Sequence, residues 1–413
     1  MEKRSLRDRL KNMGPAAVIA AAVIGPGSVT ACGLAGYQYG QVLGWAILFA
    51  VVAAVAVQSI TSRIAVVTRQ GLSENIRTIF ANSWIKWPVA VSLMLTVGVG
   101  NIAYEAGNIV GAATGAGIFL GDHRAATCIG ICVVAAIFLF SGSMKYVQNF
   151  LTALIILMAV IFTVTAVIVQ PDVGEVLSGM VIPRVPAGGQ IVAMGLIGTT
   201  LATTNIFLYT ASCALVAKEK AKDERAVDIL LEDNKLDIGI NGFFTALISI
   251  SIITVGASLA LRGVSVTAVA DLAQGLEPLA GSFAKVIFAT GILSAGISSA
   301  VTCPMGAAYV ITGLMGWSTD LGDKKFRIIL GIELALGCVL AIFGGAPTNL
   351  IIMAQSCNGI FLPIIIIVLM AIINKKEVFG RHANRLPMNL FGAAVLIITL
   401  LMSVNTFYKI FFV

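Results

Sequence analysis

Hydrophobic residues in this chain form eleven long runs that are separated by short polar segments. A helix of roughly 20 apolar residues crosses about 30 Å of hydrocarbon, so each run is long enough to span a bilayer. The pattern predicts an all-α integral membrane protein with eleven transmembrane helices. The predicted spans are 14–37, 41–66, 86–118, 124–142, 145–170, 189–216, 236–261, 280–316, 326–345, 349–373 and 388–411.

Two of these runs contain residues that interrupt a helix. Gly25, Pro26 and Gly27 stand in the middle of the first run, and the segment 198–205 crowds the sixth run with threonines and an asparagine. A break at membrane depth frees backbone N–H and C=O groups that lipid cannot satisfy, so such a segment is buried in protein or lines a cavity. In secondary transporters, paired interrupted helices form the substrate site. We therefore expect spans one and six to be broken and to meet at a binding site.

The composition excludes an ordinary soluble protein, because 58% of the 413 residues are hydrophobic and only 11% are charged. Lys and Arg collect in the N-terminal segment and after runs two, four, six, eight and ten. This bias places those segments and the N-terminus in the cytoplasm and the C-terminus outside. The net charge of +7 then reflects topology and not nucleic-acid binding. We expect a multi-pass protein of the plasma membrane whose surface contacts the lipid bilayer.

Two polar segments between the spans invite a structural prediction. Segment 218–237 mixes both signs of charge around the apolar residues 229–231, which favours either a short amphipathic cytoplasmic helix or a solvated linker. Segment 170–189 contains Pro171, Pro183 and Pro186. Because proline interrupts helices, we predict no regular helix there and interpret the segment as an external gate or a connector.

Acidic residues inside a membrane span are rare and suggest function. Glu105 lies in the third span with Asn101 four residues before it and Asn108 three residues after it, so the three side chains share one helical face. A carboxyl in this setting can accept and release a proton; the alternative is a neutral, hydrogen-bonded structural residue. Glu333 in the ninth span has apolar neighbours and is predicted to be structural or interfacial.

Several stretches together resemble one family in order and spacing. They are 14–15, 24–28, 39–40, 58, 71–77, 103–113, 291–302, 354–355, 362–363 and 380–385. Over nearly the whole chain the sequence resembles the NRAMP family of divalent-metal transporters. The resemblance implies the leucine-transporter fold in a single transporter domain, 1–413. Its inverted repeats are then 1–170 and 171–385, followed by an eleventh helix, 386–413.

The resemblance also implies a substrate site. Family members hold the metal with Asp-Pro-Gly-Asn in the first span and Met-Pro-His in the sixth, whereas this chain has Gly25-Pro26-Gly27-Ser28 and Ala202-Thr203-Thr204. Both the carboxylate and the thioether are absent, and the remaining donors are neutral oxygens and amides. The substrate-binding residues implied in this way are Gly25, Gly27, Ser28, Thr30, Ala202, Thr203, Thr204, Asn205 and Gln355.

Two further roles follow from the resemblance. If a metal is carried, Ser28, Thr203 and Gln355 are the candidate ligands. The acidic pair of the family's third span survives as Glu105 and Asn108, which become the candidates for proton coupling. The glycines at the first break either bring backbone N–H groups of the following half-helix close to an anion or only permit the bend.

Three functions remain open from the sequence. The neutral donors favour a proton-coupled secondary transporter of a small organic solute that carries a carboxylate or an amide, since a dication needs charge compensation. The alternative is a divalent-cation importer of the Mg or Mn type with neutral oxygen ligands. The third is a non-transporting sensor or regulator. No nucleotide-binding loop and no nucleophile–base constellation is present, so we predict neither an ATP-driven pump nor an enzyme, and no cofactor.

Overall fold

The computed structural model of this chain describes residues 23–81, 84, 86–121, 123–266, 271–273, 276–345 and 362–412. The regular secondary structure within those residues is helical, without a β-strand. The helices in the first part of the chain are α1 (Pro26–Tyr39), α2 (Gly44–Thr68), α3 (Leu72–Ile79), α4 (Lys86–Met94), α5 (Gly100–Leu120), α6 (Arg124–Phe140), α7 (Met144–Ile168) and α8 (Val173–Val181). A π-helical turn, Leu95–Val99, joins α4 to α5.

The helices continue in the second part. They are α9 (Gln190–Thr200), α10 (Thr203–Lys220), α11 (Glu224–Leu261), α12 (Glu277–Met315), α13 (Lys324–Phe343), α14 (Leu362–Ile373), α15 (Lys376–Phe379) and α16 (Leu386–Phe412).

Eight helical segments of the described chain are long and apolar enough to cross a membrane. They correspond to predicted spans two, three, five to nine and eleven, so the all-helical membrane architecture is confirmed. The helices α1, α6 and α14 lie at predicted spans one, four and ten and are shorter. The total of eleven spans stays a prediction.

The segment 170–189 contains a helix, so the prediction of no regular helix there is wrong. Asp172 caps α8, because its side chain accepts hydrogen bonds from the backbone N–H groups of Gly174 at 2.7 Å and Glu175 at 3.2 Å. Pro171 and Pro183 flank the helix and do not interrupt it. Proline disfavours a helix interior because it lacks a backbone N–H and clashes with the preceding turn, and the nine residues of α8 contain no proline.

The segment 218–237 is neither a separate short helix nor a linker. After α10 ends, α11 runs without interruption for 38 residues, and the predicted seventh span is its second part. Asp223 caps its first turn by accepting a hydrogen bond from the Ala226 N–H at 2.7 Å. Leu230 and Leu231 are buried against Ala217. This small apolar cluster holds the extension of α11 against α10.

Glycines allow the helices around the first break to approach at backbone distance. The helix α11 packs on α1 and α2, while α5 packs on α12 and α13. A Cβ added to Gly36 of α1 would overlap the carbonyl oxygen of Ile253, and one added to Gly256 of α11 would lie 3.0 Å from the backbone nitrogen of Tyr37. Small residues of this kind stabilise helix pairs in membranes because they permit close packing.

The variant Gly36→Ala is therefore expected to destabilise the protein by about 1–3 kcal/mol, since the added methyl forces α1 away from α11. Thermal unfolding of the purified protein in detergent measures this effect. Gly117→Ala in α5 is the matched control, because a Cβ there meets nothing within 4 Å. Equal unfolding temperatures for the two variants would contradict the close packing of α1 on α11.

Candidate functional site

Two short stretches of non-helical backbone lie next to each other inside the described bundle. Before α1, Ile24 and Gly25 are outside helical conformation, and Gly25 is extended, with φ −100° and ψ −179°. Between α9 and α10, Leu201 and Ala202 are likewise outside the helices. The hydroxyl of Ser28 joins the two regions, because it lies 2.7 Å from the hydroxyl of Thr199.

Hydroxyl groups compensate for part of the lost helical hydrogen bonding at the first break. Ser28 donates to the carbonyl of Val23 at 2.5 Å, and Thr30 donates to the carbonyl of Pro26 at 2.7 Å. The carbonyl of Gly25 accepts from the Val29 N–H at 3.1 Å, which closes the first turn of α1. The side chains of Ser28 and Thr30 therefore support the backbone of the break.

The second break carries buried polar side chains. The side-chain oxygens of Thr203 and Thr204 and the amide nitrogen of Asn205 are buried and have no hydrogen-bond partner among the described residues. Buried polar groups without partners are rare and call for an explanation such as a bound ion or water. Of the other predicted site residues, Gly27 and Ala202 are buried at the two breaks, and Gln355 lies outside the described residues.

Ser299 of α12 belongs to the same site and was missed in the sequence. A Cβ added to Gly25 would overlap the Ser299 hydroxyl, lie 3.1 Å from its Cβ and lie 3.4 Å from the side-chain oxygen of Asn108. The Ser299 hydroxyl is buried and has no partner within the described chain. Ser299 was visible only as one small residue in the stretch 291–302, and nothing in that stretch indicates which residue faces Gly25.

A buried carboxylate network lies behind Asn108. The amide nitrogen of Asn108 lies 3.4 Å from Glu105 Oε2, while Asn101 donates to Glu333 Oε2 at 3.0 Å. The thiol of Cys303 on α12 contacts Asn101 Oδ1 at 3.1 Å. One carboxylate oxygen of Glu105 has no partner among the described residues. The predicted polar face of Asn101, Glu105 and Asn108 therefore connects the first break to an acidic residue of another helix.

The second acid of this network is Glu333. Its apolar neighbours in the sequence did not indicate that it would contact the polar face of α5. It is buried on α13, which packs on α5. Gly337, one turn further along α13, leaves room for Glu105, because a Cβ at this position would lie 2.6 Å from Glu105 Cγ. The interface between the two helices is shaped to hold a carboxyl group.

A second buried polar network connects α2 to α11. Asn234 donates to the Ser62 hydroxyl at 2.7 Å, and Asn241 donates to Gln58 Oε1 at 3.0 Å. Asp237 lies between these two asparagines on α11 and is buried. Asp237 was missed in the sequence because it falls at the predicted boundary of a polar segment. Its burial follows from the extension of α11, which a count of apolar residues does not reveal.

Comparison with known protein families identifies the family of this chain. A family model described as natural resistance-associated macrophage protein-like matches residues 16–409. The chain belongs to the NRAMP family. The divalent metal cation transporter MntH of Erwinia tasmaniensis is 25% identical to this NRAMP protein over 411 residues, which cover 96% of this chain and 95% of the relative. The resemblance inferred from the sequence motifs is confirmed.

Solved structures agree on the fold. The Eremococcus coleocola manganese transporter, crystallised with an aromatic bis-isothiourea substituted compound, superposes with a TM-score of 0.80 at 17% identity, covering 99% of this chain and 88% of that chain. MhsT in complex with L-phenylalanine gives a TM-score of 0.65 at 13% identity, covering 97% of this chain and 98% of that chain. This NRAMP protein therefore shares its fold with transporters.

A substitution at position 25 tests the close contact between Gly25 and Ser299. Gly25→Asp is expected to lower stability by about 1–3 kcal/mol, because its Cβ overlaps the Ser299 hydroxyl in a packed interior. The backbone φ of −100° suits any residue, so the limit is space and not conformation. Ser299→Gly removes the obstruction, and the double variant is expected to regain most of the loss in thermal unfolding measurements.

The control for this rescue is the neighbouring serine. Gly25→Asp combined with Ser298→Gly introduces the same glycine into α12 but keeps the Ser299 side chain, and it is expected to remain as unstable as Gly25→Asp alone. Equal rescue by Ser298→Gly would contradict the assigned contact between Gly25 and Ser299.

Proposed function

We propose that this NRAMP-family protein is a secondary transporter of a divalent metal cation of the Mg or Mn type, which it binds through neutral oxygen ligands while the ion keeps part of its hydration shell. The observation that carries the proposal is that the second break and the facing helix α12 carry buried hydroxyls without partners among the described residues, those of Thr203, Thr204 and Ser299. Hard dications prefer oxygen ligands, and Mg²⁺ usually keeps several of its waters when it binds to protein.

The acidic residues near the site can compensate the charge of a metal cation better than the sequence indicated. The lost carboxylate at position 25 removes a direct anionic ligand, yet Glu105 lies directly behind Asn108, whose side-chain oxygen faces Gly25. Glu333 lies on the neighbouring helix of the same network. A carboxylate reached through one amide stabilises a hydrated dication without contacting it, because Coulomb attraction extends beyond the first ligand shell in a poorly polarisable interior.

The choice of donors also sets the expected selectivity. Among the described residues there is no cluster of three or more His, Cys, Asp or Glu side chains that could hold a metal ion. Soft thiolate, thioether and imidazole ligands select transition metals such as zinc, whereas carbonyl, carboxylate and water ligands suit magnesium and manganese. We therefore expect weak discrimination between Mg²⁺ and Mn²⁺ and poor binding of softer ions.

The small organic solute that the sequence favoured becomes the second candidate. Its support is the same donor set: hydroxyls and the amide of Asn205 suit a carboxylate or an amide ligand, and position 25 is a glycine. The relatives point the other way, since the similar Erwinia tasmaniensis protein is a divalent metal cation transporter. The metal is the better proposal because of these relatives and because Glu105, whenever it is ionised, would repel an anionic solute beside Asn108.

The proposal includes the topology predicted from the sequence. Eleven spans, with spans one and six as broken helices, would form inverted repeats over 1–170 and 171–385, with 386–413 as the added helix. The N-terminus would lie in the cytoplasm and the C-terminus outside the plasma membrane. The substrate would contact Gly25, Gly27, Ser28, Thr30, Ala202, Thr203, Thr204, Asn205 and Gln355, to which we add Ser299.

Transport in proteoliposomes tests the substrate. We expect saturable uptake of Mg²⁺ and Mn²⁺, and Thr203→Val, which removes one buried oxygen at constant shape, is expected to raise the KM about tenfold. Thr114→Val in α5 is the matched control, because the Thr114 hydroxyl donates to its own helix at Val110 O, 2.9 Å away. Saturable uptake of an amino acid or a carboxylic acid, with no cation uptake, would instead select the organic solute.

Proton coupling is the second part of the proposal, and it rests on Glu105 and Asn108. While Glu105 is ionised, it accepts from the Asn108 amide nitrogen and leaves the amide oxygen facing the site, which suits a cation. A protonated Glu105 would be a donor, and it would compete for that same oxygen. Protonation of Glu105 and binding of the cation would therefore oppose each other through one amide.

Glu105→Gln is expected to abolish proton movement that accompanies cation uptake, because glutamine keeps the size and hydrogen bonding of Glu105 but does not titrate. Internal acidification of proteoliposomes, recorded together with cation uptake, measures the coupling. Glu277→Gln is the control, since Glu277 is exposed and pairs with Lys285 at 2.8 Å away from the site. Acidification at the wild-type rate in Glu105→Gln would reduce Glu105 to a structural residue.

A further inference from the structure

A cavity of about 580 Å³ lies away from the substrate site, at the end of the bundle where α2, α11 and the start of α16 meet. The basic loops of the sequence collect at this end. Four cationic side chains line the cavity, those of Arg63, Lys235, Arg381 and Arg385, and two carboxylates do, those of Asp228 and Glu232. Neither the substrate site nor the carboxylate network accounts for this surplus of positive charge.

Arg63 anchors the inner wall of the cavity without being neutralised there. Its guanidinium donates to the backbone carbonyl of His382 at 3.0 Å and to the side-chain oxygen of Asn384 at 2.7 Å. These acceptors and the Ser59 carbonyl, which accepts from Arg63 Nε at 3.3 Å, are all neutral, so no described hydrogen-bond partner compensates the positive charge of Arg63. The side chain is half-buried, and these bonds fix the direction of its planar group.

The remaining charges leave a cationic surface. Arg381 pairs with Asp228 at 3.0 Å, and His382 lies 3.8 Å from the other oxygen of Asp228. Lys235 and Arg385 are exposed and form no salt bridge with any residue that the structure describes. With Asp228 paired to Arg381, three cationic groups face a single carboxylate.

The cavity is also amphipathic, and it opens beside the apolar surface of the bundle. Leu231, Ile238 and Met388 line it together with the charged groups. At its edge, α16 exposes Leu386 and Leu390, as expected for a helix that faces lipid. A molecule with an anionic head and an apolar tail fits this arrangement, because basic pockets between spanning helices recognise lipid headgroups.

We propose that this cavity binds the phosphate group of an anionic ligand, held by Arg63, Lys235 and Arg385, and that an anionic phospholipid of the surrounding leaflet supplies it. The phosphate of a lipid headgroup and a free phosphate share the recognised chemistry. The apolar lining favours the lipid, whose acyl chains continue along Met388 and the exposed face of α16. The bound lipid would connect α2, α11 and α16.

Native mass spectrometry of the full chain in detergent tests the proposal, with phosphatidylglycerol, phosphatidylcholine and inorganic phosphate as separate probes. Wild type is expected to retain one phosphatidylglycerol, and Lys235→Gln/Arg385→Gln is expected to bind it about thirtyfold more weakly. Lys222→Gln/Lys324→Gln removes two exposed lysines outside the cavity and is expected to bind like wild type. Lys235→Arg/Arg385→Lys keeps the charge and is expected to keep binding.

The outcomes separate the two sources of phosphate. Phosphatidylglycerol retained with this residue dependence, and no effect of inorganic phosphate, assigns the cavity to a lipid. Displacement of phosphatidylglycerol by inorganic phosphate assigns the same residues to a soluble phosphate compound. Equal retention of phosphatidylcholine, or equal losses in the two glutamine variants, overturns the site. Because both pairs are exposed, monodisperse variants are expected, and size-exclusion chromatography checks this.

Discussion

The fold depends on one constraint: a helix that breaks inside an apolar medium must find new partners for its backbone groups within the protein. Ser28 meets that constraint by donating to the Val23 carbonyl, and its contact with the Thr199 hydroxyl ties the first break to the second. The two breaks consequently lie together. Further along α1, Gly36 and Gly256 let α1 and α11 pack at backbone distance.

The spanning helices could be predicted from the sequence because a membrane imposes a simple length and composition on each of them. The helices outside the predicted spans depend on local signals instead. The extension of α11 is held by Leu230 and Leu231 against α10, and α8 is started by the Asp172 cap. A capping residue and a small apolar cluster are weak signals beside prolines and mixed charges. The helix in 170–189 was therefore missed, and the helix predicted in 218–237 was expected to be separate from the seventh span.

The sequence indicated which residues of the candidate site are unusual within their own helix, but not which residues face each other across helix interfaces. Gly25, Thr203 and Glu105 stand out in the sequence because each is unusual in an apolar span. Ser299 and Glu333 matter because of what they face across helix interfaces, and spacing within one helix carries no such information. Ser299 also limits the space at position 25. A side chain there would occupy the space that the Ser299 side chain fills.

In the proposed metal site the nearest acidic group is Glu105, and its position behind Asn108 changes how a cation and a proton can influence each other. A carboxylate that is itself a ligand must release the metal before it can be protonated. Here the charge lies behind Asn108, so its effect on the site passes through the field and through the orientation of one amide. This indirect interaction is weaker than direct coordination. An ion that retains part of its water shell requires less stabilisation from protein ligands. In the proposed site, neutral donors and an acid that acts through Asn108 together favour a hard, hydrated ion over a soft one.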